Sequence, residues 1–191
     1  MPPKRDISVV ATSRTDSQPM PHKSPSLEIS RIDPREPEAA ALIRAMTDEV
    51  TKLYDHKIDG AGNFKPEDVL VPGSGFFIGR VERQAVACGA FRPLGPRIAE
   101  IKRMFVDPEH RGRGYSKAML VMLERMAGES GYAAVRLETR PLQHAAIALY
   151  EKLGYVRIPN YGMYEGKQEC LRYEKSLAGG SGRNGMMSAG E

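Results

Sequence analysis

The chain has 191 residues, 41% of them apolar, with a mean hydropathy of −0.43, which bounds it to one soluble domain with a single core. No apolar run reaches the ~18 residues of a membrane span, and two cysteines, Cys88 and Cys170, build no disulfide framework and point to a reducing, cytoplasmic setting. The net charge of +4 and the pI of about 9.1 do not describe a nucleic-acid groove: four cations against two anions in residues 1–26 supply half of it, and the balanced segment 178–191 leaves +2 for residues 27–177.

Residues 1–26 are rich in proline, serine and threonine and lack the apolar stretch of a secretory signal, so they are expected to be a disordered tail. Leu27, Ile29 and Ile32 suggest a first strand that ends at Asp33-Pro34. Pro37 then opens a helix with Leu42, Ile43, Met46, Val50, Leu53 and Tyr54 on one face. From Asp55 to Pro72 the chain is turn-rich. Phe76 to Val81 and Ala85 to Arg92 read as a hairpin joined by Glu82-Arg83-Gln84, and Ala99 to Val106 as a further strand. There a period of two places Glu100, Lys102 and Met104 on one face and Ile101, Arg103 and Phe105 on the other. A helix from near Gly114 carries Met119, Leu120, Leu123, Met126 and Ala127 at 3.6-residue spacing. A strand from Arg136 follows, then a helix with Ala146, Leu149, Tyr150 and Leu153 on one face that stops at Gly154. Strands over Tyr155 to Ile158 and Glu169 to Ser176 complete the order β-α-β-β-β-α-β-α-β-β, a mixed α/β fold. Residues 178–191 read as a flexible end.

The most informative stretch is the strand–turn–helix over Glu100 to Ser116. Gly112 and Gly114 let the backbone N–H groups of Arg111, Gly112, Arg113, Gly114, Tyr115 and Ser116 approach a ligand with no Cβ in the way, and the first-turn amides of the helix have no intrahelical partner. This is an anion site. Its pattern is neither GxxxxGK[ST], since Tyr115-Ser116-Lys117 puts hydroxyl and lysine in the wrong order, nor GxGxxG, since the third glycine is missing. The four histidines, His22, His56, His110 and His144, show no metal-ligand spacing, so no metal is expected.

Arg111, Gly114 and Ser116 resemble the [Q/R]-x-x-G-x-[G/A] pyrophosphate motif of the GNAT superfamily of acetyl-CoA-dependent N-acetyltransferases, with serine at the last position. Gln143, Ala146, Leu149, Tyr150, Lys152, Gly154 and Tyr155 are similar to a second pattern of that family, N-x-x-A-x-x-L-Y-x-K-x-G-[FY], with glutamine for asparagine. The resemblance spans residues 27–177 and implies a GNAT domain with its sheet splayed between the fourth and fifth strands. It further implies acetyl-CoA as co-substrate, with its diphosphate on Arg111 to Ser116 and its pantetheine along the main chain of Met104, Phe105 and Val106. Gln143 is a candidate for contact with the cofactor, and Tyr150 for the position beside its sulfur as general acid or hydrogen-bond donor. Glu100 is the candidate general base, by its spacing to Arg111. An ordinary phenol near 10 facing a thiolate near 8.5 makes proton transfer uphill by ~2 kcal/mol.

The acceptor is expected to be a small-molecule primary amine, held by the first helix, the Asp55 to Pro72 loop and the Pro159 to Lys167 segment with Tyr161 and Tyr164. The rivals are a protein or peptide N-acetyltransferase and an acyl-CoA-binding module without turnover. Neither nucleic acid nor membrane is an expected partner, and a monomer or homodimer is expected.

Overall fold

The computed structural model describes residues 26–60, 62–160 and 169–177. The two expected tails fall outside these residues, apart from Ser26, as do Tyr161 and Tyr164. The elements follow the expected order: β1 (Glu28–Ile32), α1 (Pro37–Leu53), β2 (Gly75–Val81), β3 (Gln84–Gly95), β4 (Ile98–Val106), α2 (Tyr115–Glu129), β5 (Ala134–Thr139), α3 (His144–Lys152), β6 (Val156–Ile158) and β7 (Leu171–Ser176). They form a seven-stranded sheet in the order β1-β2-β3-β4-β5-β7-β6. Only β4 and β5 pair in parallel.

That parallel ladder is short. It joins Ile98 to Ala134 through Ile101 to Leu137 and stops, although β4 runs on to Val106 and β5 to Thr139. The strands therefore splay into a cleft, as the resemblance implies.

Two apolar cores cover the sheet. On one face α1 seats Ala39, Leu42 and Met46 against Phe76, Ile78 and Phe105. On the other, α2 packs Met119, Leu120 and Leu123 against Val86, Phe91 and Ile101, and Tyr150 of α3 joins the same cluster. The helix comes down on β3 at Gly89, where a Cβ would stand 2.8 Å from Leu123 Cδ1 and 3.0 Å from Met119 Cγ. Glycine is required there by close approach.

Several expectations need correction. Strand β3 continues past Arg92 through Pro93 to Gly95, because the register shifts beside Pro93 and an irregular ladder tolerates the missing N–H. Tyr155 precedes β6, Cys170 precedes β7, and both cysteines are buried and free. Leu53 leaves the buried face of α1 and is 43% exposed.

The alternation in β4 is also broken. Between the pairs Ala90–Lys102 and Cys88–Phe105 the strand carries one extra residue, and Arg103 has φ +57°. This bulge moves Met104 to the side of Ile101 and α2, while Phe105 joins the core under α1. Lys102 and Met104 therefore do not share a face.

The β2–β3 connection is a two-residue turn, Glu82-Arg83, with φ +49° and +71° and Val81 paired to Gln84. Side chains with a Cβ resist this region by about 1–2 kcal/mol per residue. Replacing Glu82-Arg83 by Asn-Gly, the preferred pair for such a turn, is expected to stabilise the fold by roughly 1 kcal/mol. Urea unfolding checks this, with an unchanged m-value expected alongside a higher midpoint.

Candidate active site

Asp107 leaves β4 and caps a single 3-10 turn, its Oδ1 accepting from Glu109 N at 3.0 Å. The chain then turns through Gly112 and Gly114, at φ +75° and +82°, into α2. Ala118 N–H donates to Gly114 O at 3.0 Å, which closes the first helical turn, so the amides ahead of it face outward at the positive end of the helix. An added Cβ at either glycine would meet nothing within 4 Å. The space beside the turn is open, which fits a bound diphosphate.

Below the turn a groove of about 440 Å³ runs along the splay. It brings together ten of the residues singled out for the cofactor: Met104, Phe105, Val106, Arg111, Gly112, Gly114, Tyr115, Ser116, Gln143 and Tyr150. Arg113 is not among them. It is exposed, and among the described residues its guanidinium reaches the Glu109 carbonyl alone, at 3.4 Å. Tyr115 is buried in the core, so at this position its backbone amide, and not its ring, is what a ligand would meet.

Arg111 is held from both sides. Its Nε donates to Val106 O at 2.9 Å, and its Nη2 stands 2.8 and 2.7 Å from the carboxylate oxygens of Glu49 on α1. The Val106 carbonyl is thus already engaged. Glu49 carried no periodic signal that would have singled it out. It sits one position before Val50 on α1, and only the tertiary fold brings it to the turn.

A second cavity of about 180 Å³ opens on the α1 side of the splay. Its walls come from α1, from Ile58 to Gly60 and Gly62 to Phe64 of the following loop, and from Lys102, Arg103, Glu138 and Arg140. The two cavities meet at Met46, Val50, Met104, Gln143, Ala146 and Tyr150, which line both.

Tyr150 is fixed at this junction by the way α3 ends. Gly154 N–H donates to Glu151 O at 3.1 Å and Tyr155 N–H to Tyr150 O at 3.0 Å, with Gly154 at φ +84°. This is a Schellman motif, and its accompanying apolar contact is the Tyr150–Tyr155 ring pair, 5.7 Å between centroids. The Tyr173 ring packs against Tyr150 at 6.3 Å. Burial pushes the phenol of Tyr150 up to about 12. Among the described residues nothing takes up its hydroxyl.

Gln143 serves the turn before α3. Its Oε1 accepts from Thr139 Oγ1 at 3.0 Å and from Arg140 N at 3.1 Å, which leaves its Nε2 as the end available to a ligand. Across the groove mouth, Leu142 N–H donates to Tyr54 Oη at 3.1 Å and the Arg140 guanidinium lies 5.7 Å from the Tyr54 ring, tying α1 to this turn.

Glu100 lies behind the cavity. It is 3% exposed and lines neither cavity. Arg92 Nε and Nη2 approach its Oε2 at 2.9 and 2.8 Å, while Lys102 Nζ and Arg172 Nη1 stand 3.5 and 3.7 Å from its Oε1. Arg92 also pairs with Asp68, and Arg172 Nη2 stands 2.9 Å from Glu138 Oε2. Alternating charges thus run from Asp68 to Glu138 beneath the cavity floor. Glu138, near the end of β5, and Arg140, just past it, carried no sequence signal that assigned them to a cavity.

Among the described residues no group of three His, Cys, Asp or Glu side chains is placed to hold a metal ion, and no helix is long and apolar enough to cross a membrane.

The model of the acetyltransferase (GNAT) family matches residues 39–155. An IAA acetyltransferase from Azospirillum brasilense is 30% identical over 158 residues, covering 80% of this chain and 99% of that protein. A Klebsiella pneumoniae chain assigned to the acyl-CoA N-acyltransferases superposes with a TM-score of 0.65 at 30% identity, over 79% of this chain and 97% of that one. An acetyltransferase from Streptococcus agalactiae gives 0.67 at 17% identity, over 79% and 98%, and speaks to the fold alone.

Arg172 is 2% exposed and neutralises two carboxylates. Arg172→Met is expected to cost about 3–5 kcal/mol, because it leaves Glu100 and Glu138 short of a buried cation. Urea unfolding at neutral pH measures it, and a loss under 1 kcal/mol would mean that solvent reaches these groups.

Proposed function

The chain belongs to the GNAT family of acetyltransferases, and we propose that it moves the acetyl group of acetyl-CoA to the primary amine of a small molecule by direct attack in a ternary complex. The observation that carries this reading is the meeting of the two cavities at Tyr150. One lies under a glycine turn suited to a diphosphate, and the other is a charged pocket the size of one small molecule. Residues 27–177 are the acetyltransferase domain in this reading, and two buried free cysteines support a reducing, cytoplasmic setting.

The amides of Arg111 to Ser116 bind the diphosphate, with Arg113 contributing its N–H and not its side chain. The main chain of Met104 and Phe105 pairs with the pantetheine arm, and Gln143 adds its amide nitrogen. An amine that arrives as an ammonium first gives up one proton to solvent. Its nitrogen then attacks the thioester carbon, a C–N bond forms, the C–S bond breaks with the sulfur leaving as thiolate, and a second proton leaves the nitrogen. A phenol at about 12 gives up its proton to a thiolate near 8.5 only against roughly 5 kcal/mol. That is steeper than for an ordinary phenol. Tyr150 therefore donates a hydrogen bond to the departing sulfur and keeps its proton. Glu138, which lines the acceptor cavity, takes the proton of the amine directly or through water, and Glu100 is a positioning residue that acts through Lys102 and Arg172.

Acetyl-CoA is expected to raise the melting temperature, by an amount corresponding to ~2.7 kcal/mol at 100 times its dissociation constant. No shift at millimolar acetyl-CoA would remove the reading. Gly114→Val places a branched side chain at φ +82° beside the diphosphate, and calorimetry is expected to show at least a tenfold loss of affinity with the fold retained.

Tyr150→Phe is expected to lower kcat by ~10²–10⁴ with the acetyl-CoA melting shift retained. Because burial raises the pKa of this phenol, the folded state keeps the protonated form, and that contribution to stability is full below about pH 10 and is lost as pH rises through about 12. The deficit of the Phe variant is therefore expected to be the same from about pH 6.5 to about 9.5. A variant with undiminished kcat, where chemistry limits the rate, would make Tyr150 a packing residue.

A further inference from the structure

We propose that the acceptor is a free α-amino acid with an apolar side chain, its carboxylate received by Lys102 and Arg140 and its ammonium by Glu138. This rests on the reading of the smaller cavity as the acceptor site, and it names what that site takes.

The charges that line the cavity are Lys102, Arg103 and Arg140 against Asp59 and Glu138. They do not neutralise one another evenly. Arg103 is committed to the wall: its Nη1 donates to Gly60 O at 3.2 Å, its guanidinium stacks 4.5 Å from the centre of the Phe64 ring, and Asp59 acts on it electrostatically. Arg140 is different. It touches the Tyr54 ring and has no carboxylate partner among the described residues.

Lys102 is only partly compensated. Its side chain is 14% exposed, and the Glu100 oxygen 3.5 Å away belongs to a carboxylate that Arg92 and Arg172 also share. Burial pulls the Lys102 ammonium below its usual range; Glu100 and Glu138 offset this only in part, against the nearby Arg92 and Arg172. A carboxylate entering the cavity supplies Lys102 with negative charge that it does not have to share with Arg92 and Arg172.

Glu138 gives the opposite pole. It lines the cavity together with Arg140, which lies just past the end of β5, so one wall presents an anion and a cation together, while Arg172 Nη2 stands 2.9 Å from Glu138 Oε2. The remaining surface near α1 and the loop, from Met46, Val50, Ile58 and Phe64, is apolar. A cavity of about 180 Å³ is somewhat larger than one of about 150 Å³ that holds benzene. It accommodates one amino acid. A peptide amino terminus has a neutral amide where the carboxylate would be, and brings no negative charge to either cation.

The test follows thiol release from acetyl-CoA with leucine, methionine and phenylalanine, each beside its decarboxylated amine and its carboxamide, and with a leucine-initiated tripeptide. Melts in acetyl-CoA run alongside. The amino acids are expected to exceed their decarboxylated amines by about 100-fold or more in kcat/KM. Lys102→Met and Arg140→Met are each expected to raise the KM for the amino acid about tenfold or more with the acetyl-CoA melting shift retained. Arg140→Gln, at a half-exposed position, serves if Lys102→Met does not fold. The proposal is overturned if the melting shift is present and the amines, carboxamides or tripeptide match the amino acids, or if no amino acid turns over. An absent melting shift removes acetyl transfer itself, a different failure.

Discussion

The parallel ladder between β4 and β5 ends at Ile101 and Leu137, and the backbone beyond it has to find other partners. A sheet this size does not lose its pairing in the middle by accident, because unpaired backbone groups are costly unless water or a ligand takes them. The bulge at Arg103 is the local cause. One extra residue at φ +57° turns the strand and directs Met104 toward α2 while Phe105 turns toward α1. The cleft, the groove beside Met104 and the junction at Tyr150 all follow from that divergence.

What stands beneath the splay is electrostatic. Arg92, Lys102 and Arg172 share Glu100, and Arg172 reaches on to Glu138. Buried ion pairs of this kind add little stability compared with apolar packing, since desolvation offsets most of the attraction. Their value is geometric. The chain of charges links β3, β4, β5 and β7 under the cavity where main-chain pairing between β4 and β5 has stopped, and it leaves the lysine and the glutamate at its upper end facing the cavity.

The readable parts of this chain were those with a local signature. Among the described residues periodicity placed the three α-helices and seven strands, because each amphipathic face is written within one element. The glycines at 112, 114 and 154 announced turns that only positive φ closes, and each of them has it. The illegible parts were those that depend on register. An arginine at positive φ has no sequence signature, so the bulge at Arg103 was invisible and the alternation through Lys102 and Met104 was read one face wrong. Its spacing to Arg111 made Glu100 a candidate general base on the strand that walls the cleft. Only pairing with β3, which sets Arg92 beside it, and the approach of Arg172 from β7 reveal it as the centre of a buried network. The acidic and basic lining from Glu138 and Arg140 likewise needed the splay to be known.

The two ends of Tyr150 carry different constraints, and together they limit its chemistry. Its backbone carbonyl is locked into the helix stop by Tyr155 N–H, and its ring is packed between Tyr155 and Tyr173, so the hydroxyl is held at the junction without a protein partner among the described residues. The same packing that fixes the ring strips it of water and drives the phenol up to about 12. A group that is well placed by burial is for that reason a poor acid, and positioning and proton transfer oppose each other here. A hydrogen bond to a departing sulfur needs only the placement. In the proposed reaction the energy that burial takes from the phenolate is no loss, because the neutral hydroxyl is the form that donates.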